Sequence, residues 1–352
     1  MFKPLCSALL IGSFPLKSHE EAIDLCFKYT PEIPAWPQLP SFKEENMILQ
    51  FLPGMPGFED DTILAKDKDL EKDLIDFYQD YLEVKEKKKK LSESRFVLNE
   101  EAKGFHLFVK RLKNCKRLSF KALKGQITGP FTFASSLKDE QKRSILYNDQ
   151  LKDASVKLIA LKARYEAEVL SKFGLPVIIF CDEPGLAGFG SSEFISISKE
   201  DVIGMLKEVF SEIREVGGIA GIHVCANTDW SLVIEAEPDI INFDAYGYFE
   251  NFILFSREVK NFLEKDKIIA WGIVPTLKPE DIKKENPDSL LNRLLSYVKL
   301  MEKETNLSKE KILSNSLITP SCGLGSLSHQ DMIKVLDMTK ELSQKLKEDN
   351  LL

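Results

Sequence analysis

Apolar residues in this chain gather in short runs that glycine or proline closes, and charged stretches of helical composition lie between them. Residues 8–15 (ALLIGSFP) read as a buried parallel strand whose loop begins at Ser13. Residues 18–29 follow as a helix, with Ser18 as N-cap and Glu20 and Glu21 in the first turn. Residues 31–43 hold four prolines and Trp36 and are predicted to be irregular, so the apolar run 47–53 is taken as the second strand. Strands are further predicted at 124–130, 176–184, 221–227, 239–246, 267–276 and 316–325. Helices are predicted at 139–172, 199–216, near 229–236, at 278–304 and at 328–347. Residues 66–95 are highly charged, lack Gly and Pro, and predict a long exposed helix or helical hairpin.

Eight apolar strands alternating with mostly helical segments predict an α/β protein, specifically a (β/α)8 TIM barrel. No linker-like stretch divides residues 1–352, so a single catalytic domain is expected, with an exposed helical insertion around 60–120. The content of 43% hydrophobic and 29% charged residues is that of a globular protein. The net charge of −7 argues against a nucleic-acid partner, because no basic excess is available to neutralise phosphates. The cluster Lys87 to Lys90 has acidic neighbours and reads as a solvated helix face. No apolar run approaches the ~20 residues of a membrane span, and the run 8–14 lacks the features of a secretory signal. Six cysteines without a disulfide-like pattern suit a reduced, cytoplasmic protein.

The chemistry concentrates at the C-terminal ends of the predicted strands, where barrel enzymes build their active sites. Strand alternation points His223 and Cys225 to the same side, with Val224 opposite. An imidazole and a thiolate side by side are half of a zinc site, and Cys322 and Asp244, at two other strand ends, are candidates for the rest. Asp244 suits either an exchangeable fourth ligand or a partner that orients His223. Taken alone, His-x-Cys more readily describes a core cysteine beside a hydrogen-bonded histidine; a third thiol in the loop PSCGLG (320–325), bounded by proline and glycine, favours the metal reading. Asp182 and Glu183 follow a wholly apolar strand, where carboxylates bind a substrate amine, move protons or cap a helix. Cys181 alternates away from Asp182 and is assigned to packing; His19 and His106 are expected to be exposed, and His329 to lie at a helix start.

An ordered set of motifs resembles the catalytic barrel of the cobalamin-independent methionine synthase family, which shares a superfamily with uroporphyrinogen decarboxylase and the corrinoid-dependent thiol methyltransferases. The motifs are IGSFP (11–15), TGP (128–130), DEP (182–184), HVC (223–225), EPDIINFD (237–244) and PSCGLG (320–325). The resemblance implies zinc ligands at His223, Cys225 and Cys322, with Asp244 standing where the family has a glutamate ligand. It implies that Ser13 and Asp182 hold the homocysteine amino acid and that Glu45 contacts the same substrate; Glu183, the other carboxylate of the strand-end pair, is expected to bind substrate beside Asp182. Ile273-Val274-Pro275 stand where the family has a proton-donating histidine, and Gly188 where it has a folate-binding glutamate. These departures imply that the methyl donor is a methylated corrinoid, free or on a corrinoid protein, rather than methyltetrahydrofolate. The implied reaction is methyl transfer to a zinc-activated thiol, homocysteine giving methionine, with Asp182 and Asp244 as its acid–base groups. Two other members of the superfamily bound the expectation: a tetrapyrrole decarboxylase, which needs a basic cluster the N-terminal strand lacks, and a non-catalytic corrinoid binder.

Overall fold

A computed structural model describes residues 2–59, 62–63, 68–115 and 120–348. Its centre is a seven-stranded parallel sheet: β1 (Ser7–Ala8), β4 (Leu123–Thr128), β5 (Val177–Asp182), β6 (Ile219–Val224), β7 (Ile240–Phe243), β8 (Ile268–Val274) and β9 (Ser316–Pro320). The order is β1-β9-β8-β7-β6-β5-β4, and β2 (Phe58–Glu59) and β3 (Thr62–Ile63) form a separate antiparallel pair. Parallel pairing requires a crossover between neighbours, and helices supply it, as in the stretch from β5 through the helix Lys199–Glu215 to β6. The α/β class matches the expectation, whereas seven strands stand where eight were expected.

The missing strand has a physical reason. The run 47–53 is not extended; residues Leu49–Phe51 form a 3-10 turn with Gln50 and Phe51 buried. The proline-rich segment does the pairing instead. Lys124 N donates to Pro34 O (3.0 Å) and Trp36 N to Lys124 O (3.3 Å); on the other side Gln38 N donates to Gly12 O and Phe14 N to Gln38 O, both 2.9 Å. Two isolated parallel bridges, Ala35 to Lys124 and Ser13 to Gln38, result. Pro34 and Pro37 have no N–H to donate, so a continuous ladder cannot form.

Proline also splits the helix predicted over 278–304 into Pro279–Lys284 and Pro287–Thr305. The helix predicted from 139 begins at Asp149, where the Asn148 side chain accepts from Gln150 N and Leu151 N. Of the charged stretch 66–95, Lys68–Lys85 is a helix and Leu91–Glu93 a 3-10 turn; the next helix, Lys103–Asn114, lies beyond it and buries Phe105, Phe108 and Leu112.

Two apolar cores follow from strand alternation. Ile178 and Phe180 join Leu9, Ile33, Ala122 and Leu317 in a small inner cluster, while Ile179 and Cys181 face the helices in the larger one. Cys181 is thus a packing residue, as expected. Toward the C-terminal strand ends the inner face turns polar, at Gln126, Asp182, His223 and Asn242.

Outside the sheet, the helix Asp149–Ser171 sends the buried Glu166 against it, where Oε2 accepts from Trp36 Nε1 (2.9 Å). Gly125 makes room, since a Cβ there would lie 2.3 Å from that oxygen. Burial pushes the Glu166 carboxyl up to about 8 from its ordinary 4.5. Folding therefore favours the protonated form, and the associated stability is lost as pH rises from 4.5 through about 8. Glu166→Gln keeps the carbonyl for Trp36 and has no proton to lose. Its melting temperature is expected to match wild type near pH 5 and to exceed it by a few degrees near pH 8; equal pH profiles by calorimetry would contradict this.

Candidate metal centre

His223 lies one residue before the end of β6, Cys225 one residue beyond it, and Cys322 two residues beyond β9. Their ligand atoms all lie within 4.8 Å of one another, although 97 and more residues separate Cys322 from the other two. His223 is buried; both cysteines are partly exposed, which leaves the group reachable from the mouth. His223 Nδ1 lies 2.5 Å from Asn242 Oδ1, while its Nε2 is buried with no nitrogen or oxygen partner, and the Cys225 sulfur is the remaining group acting on the ring. A buried polar nitrogen left without a partner costs free energy unless something outside the protein satisfies it.

A hydrogen bond from Cys322 holds the Cys225 sulfur well below its ordinary range, with the His223 imidazole adding to the effect, and the same contact pushes Cys322 up. Burial alone would lower the His223 pKa, but the Cys225 sulfur and the Asp182 carboxylate outweigh it and raise it. One nitrogen and two sulfurs around an unsatisfied lone pair fit a zinc ion, which takes such ligands in tetrahedral sites and keeps a position open when catalytic.

The other predicted residues divide sharply. Asp182 ends β5 in register with His223. Its Oδ1 is buried without a partner, and burial pushes the carboxyl up to about 6. Asp244 lies outside the group of mutually close ligand atoms, and its Oδ1 accepts from Gly247 N (2.8 Å), capping the helix Ala245–Phe252. Burial pushes it too up to about 6, and the Cys225 charge adds to this. Ser13 is sewn to the loop that carries Cys322: its carbonyl accepts from Leu324 N (3.0 Å) and its Oγ from Gly325 N (3.3 Å).

Glu183 and Glu45 both have their carboxylate oxygens engaged within the protein. Glu183 Oε1 accepts from Phe131 N (2.9 Å), and Oε2 from Thr132 N (2.8 Å) and Thr132 Oγ1 (2.5 Å). It therefore braces the start of the helix Pro130–Ser136. Glu45 bonds to His19 Nε2 through one oxygen and accepts from Leu39 N (2.7 Å) through the other. His19 is consequently buried, contrary to expectation, with Phe42 stacked on its ring at 5.6 Å. His106 is exposed as expected, and His329 is exposed and opens the helix His329–Glu348.

Sequence reasoning passed over three polar residues on the inner face. Lys124 is fully buried, and its Nζ donates to Ile11 O and to Gln126 Oε1 (2.8 Å). Burial pushes it down to about 8. Asn242 is the third. The signal was available: Lys124, Gln126 and Asn242 interrupt otherwise apolar strands at inward-facing positions.

No protein-family model and no curated protein matches the chain. Among the described residues no helix is long and apolar enough to cross a membrane.

Proposed function

We propose that the protein is a zinc-dependent thiol methyltransferase. The fold is read as a (β/α)8 barrel whose second strand is the proline-interrupted segment 33–39. The observation that carries the proposal is the convergence of a His223 ring nitrogen with Cys225 Sγ and Cys322 Sγ, on a ring whose Nε2 has no nitrogen or oxygen partner. These three residues would hold the zinc, with Asp244 as the candidate for a further ligand. When bound, zinc would lower the pKa of a substrate thiol so that its sulfur is nucleophilic at neutral pH.

The chain's own residues supply binding and orientation. The free Asp182 oxygen suits the ammonium of an amino-acid thiol, which favours homocysteine as acceptor. Ser13 fixes the loop bearing Cys322 against the first strand. Asp182 and Asp244, both raised to about 6, are the groups able to take up the thiol proton. The sulfur lone pair forms the S–CH3 bond while the bond from methyl to donor breaks, its electron pair leaving with the donor. A methylated corrinoid suits this step, because its cobalt accepts that pair. All six cysteines are free thiols, which accords with a cytoplasmic setting.

The test is metal analysis of the purified protein, followed by methyl transfer to homocysteine from methylcobalamin and methyltetrahydrofolate in parallel. One zinc per chain and turnover with methylcobalamin, slower with the folate, are expected. A zinc-loaded protein that transfers from neither donor to homocysteine or another thiol would be a non-catalytic binder, and the assignment would fail.

A further inference from the structure

We infer that Asn242 is a positioning residue: it locks His223 in the tautomer whose Nε2 presents a bare lone pair to the two thiols. The inference rests on the proposed metal site for the purpose of that lone pair, but not for its existence. The fully buried Asn242 side chain places Nδ2 2.9 Å from Ala270 O and 2.7 Å from Thr319 Oγ1. A carbonyl oxygen only accepts, so the group facing Ala270 must be the amide NH2. Turning the amide over would set two carbonyl oxygens against each other. The remaining amide atom, Oδ1, is therefore the one 2.5 Å from His223 Nδ1.

Oδ1 likewise only accepts, so Nδ1 must carry the proton. A neutral imidazole has one N–H, which leaves Nε2 unprotonated. That is the atom buried without a nitrogen or oxygen partner among the described residues, on a ring with a nitrogen within 4.8 Å of both sulfurs. The clamp spans four adjacent strands, from His223 on β6 through Asn242 and Ala270 to Thr319 on β9. Thr319 precedes Cys322 by three residues, so the same hydrogen bonds tie the strand bearing the imidazole to the strand bearing the distant thiol. Burying an amide in the apolar strand Ile240–Phe243 is costly unless its hydrogen bonds are made. Here they are made, and they fix a proton.

The test has two readouts. In metal-free protein labelled with nitrogen-15 at histidine, at a pH where the imidazole is neutral, the His223 signals should report a protonated Nδ1 and a bare Nε2. In Asn242→Leu the proton should redistribute toward Nε2. Zinc affinity by chelator competition should then fall about 10- to 100-fold, the usual cost of losing an orienting partner. A wild-type proton on Nε2 would overturn the inference, as would a folded leucine variant with unchanged tautomer and zinc affinity. If Asn242→Leu does not fold, the wild-type spectrum decides by itself. Wild-type protein with the expected tautomer but no affinity for zinc would sink the metal reading and leave the role of Asn242 standing.

Discussion

Cys322→Ser is expected to reduce zinc content from one ion per chain to near zero and to abolish methyl transfer, while the protein stays folded. Cys322 is partly exposed and sits in a loop beyond β9, so exchanging sulfur for oxygen leaves no cavity. What changes is the donor: zinc takes thiolate sulfur readily, whereas a serine hydroxyl stays protonated at neutral pH. The variant keeps one nitrogen and one sulfur of the converging group, and the Asp244 carboxylate, already bonded to Gly247 N, does not replace a thiolate. Cys115→Ser is the control. Cys115 is also a free, partly exposed thiol, but it follows the helix Lys103–Asn114 and does not belong to the ligand group. Metal analysis and the methylcobalamin assay on both variants give the answer. If Cys322→Ser retained full zinc and full turnover, the three-residue site would be wrong.

How far this site can be read from the sequence depends on which physical rule each residue obeys. Alternation along a strand places His223 and Cys225 on one face, and the clustering of polar groups at strand ends brings in Cys322 without any structure. The same alternation separates Asp182, with its free oxygen at the mouth, from Glu183, whose oxygens face the helix Pro130–Ser136. The DEP motif hides that difference. The second strand was misplaced because a short apolar run does not distinguish a strand from any other buried segment. Within residues 47–53 a 3-10 turn at Leu49–Phe51 buries Gln50 and Phe51, and the pairing passes to a stretch whose prolines mask its extended backbone. The His19–Glu45 pair is invisible in sequence for a different reason. The two residues lie 26 positions apart, and they meet only because the loop folds Phe42 and Leu39 over the start of the first helix.

Glu183→Ala is expected to destabilise the fold by about 3–5 kcal/mol without removing the metal site, because three donors lose one carboxylate. Phe131 N, Thr132 N and Thr132 Oγ1 all point at Glu183, which is completely buried, so water cannot replace it. The two backbone N–H groups belong to the first turn of a helix, where no intrahelical acceptor exists and a negative charge is favoured. Glu183→Gln should fall between wild type and alanine, since its amide NH2 must turn toward at least one of these donors. Gly129 tests the same brace from the other side. A Cβ there would lie 2.2 Å from Glu183 Cδ, and a side chain pinned at both oxygens has no room to retreat. Gly129→Ala should therefore destabilise in the same range although it deletes no hydrogen bond. Urea denaturation followed by circular dichroism measures all three variants, and zinc content is read on the folded protein. A brace predicts lost stability with normal zinc uptake. A substrate-holding role for Glu183 predicts the reverse, unchanged stability with a raised KM for the thiol, and that result would return the residue to the substrate pocket.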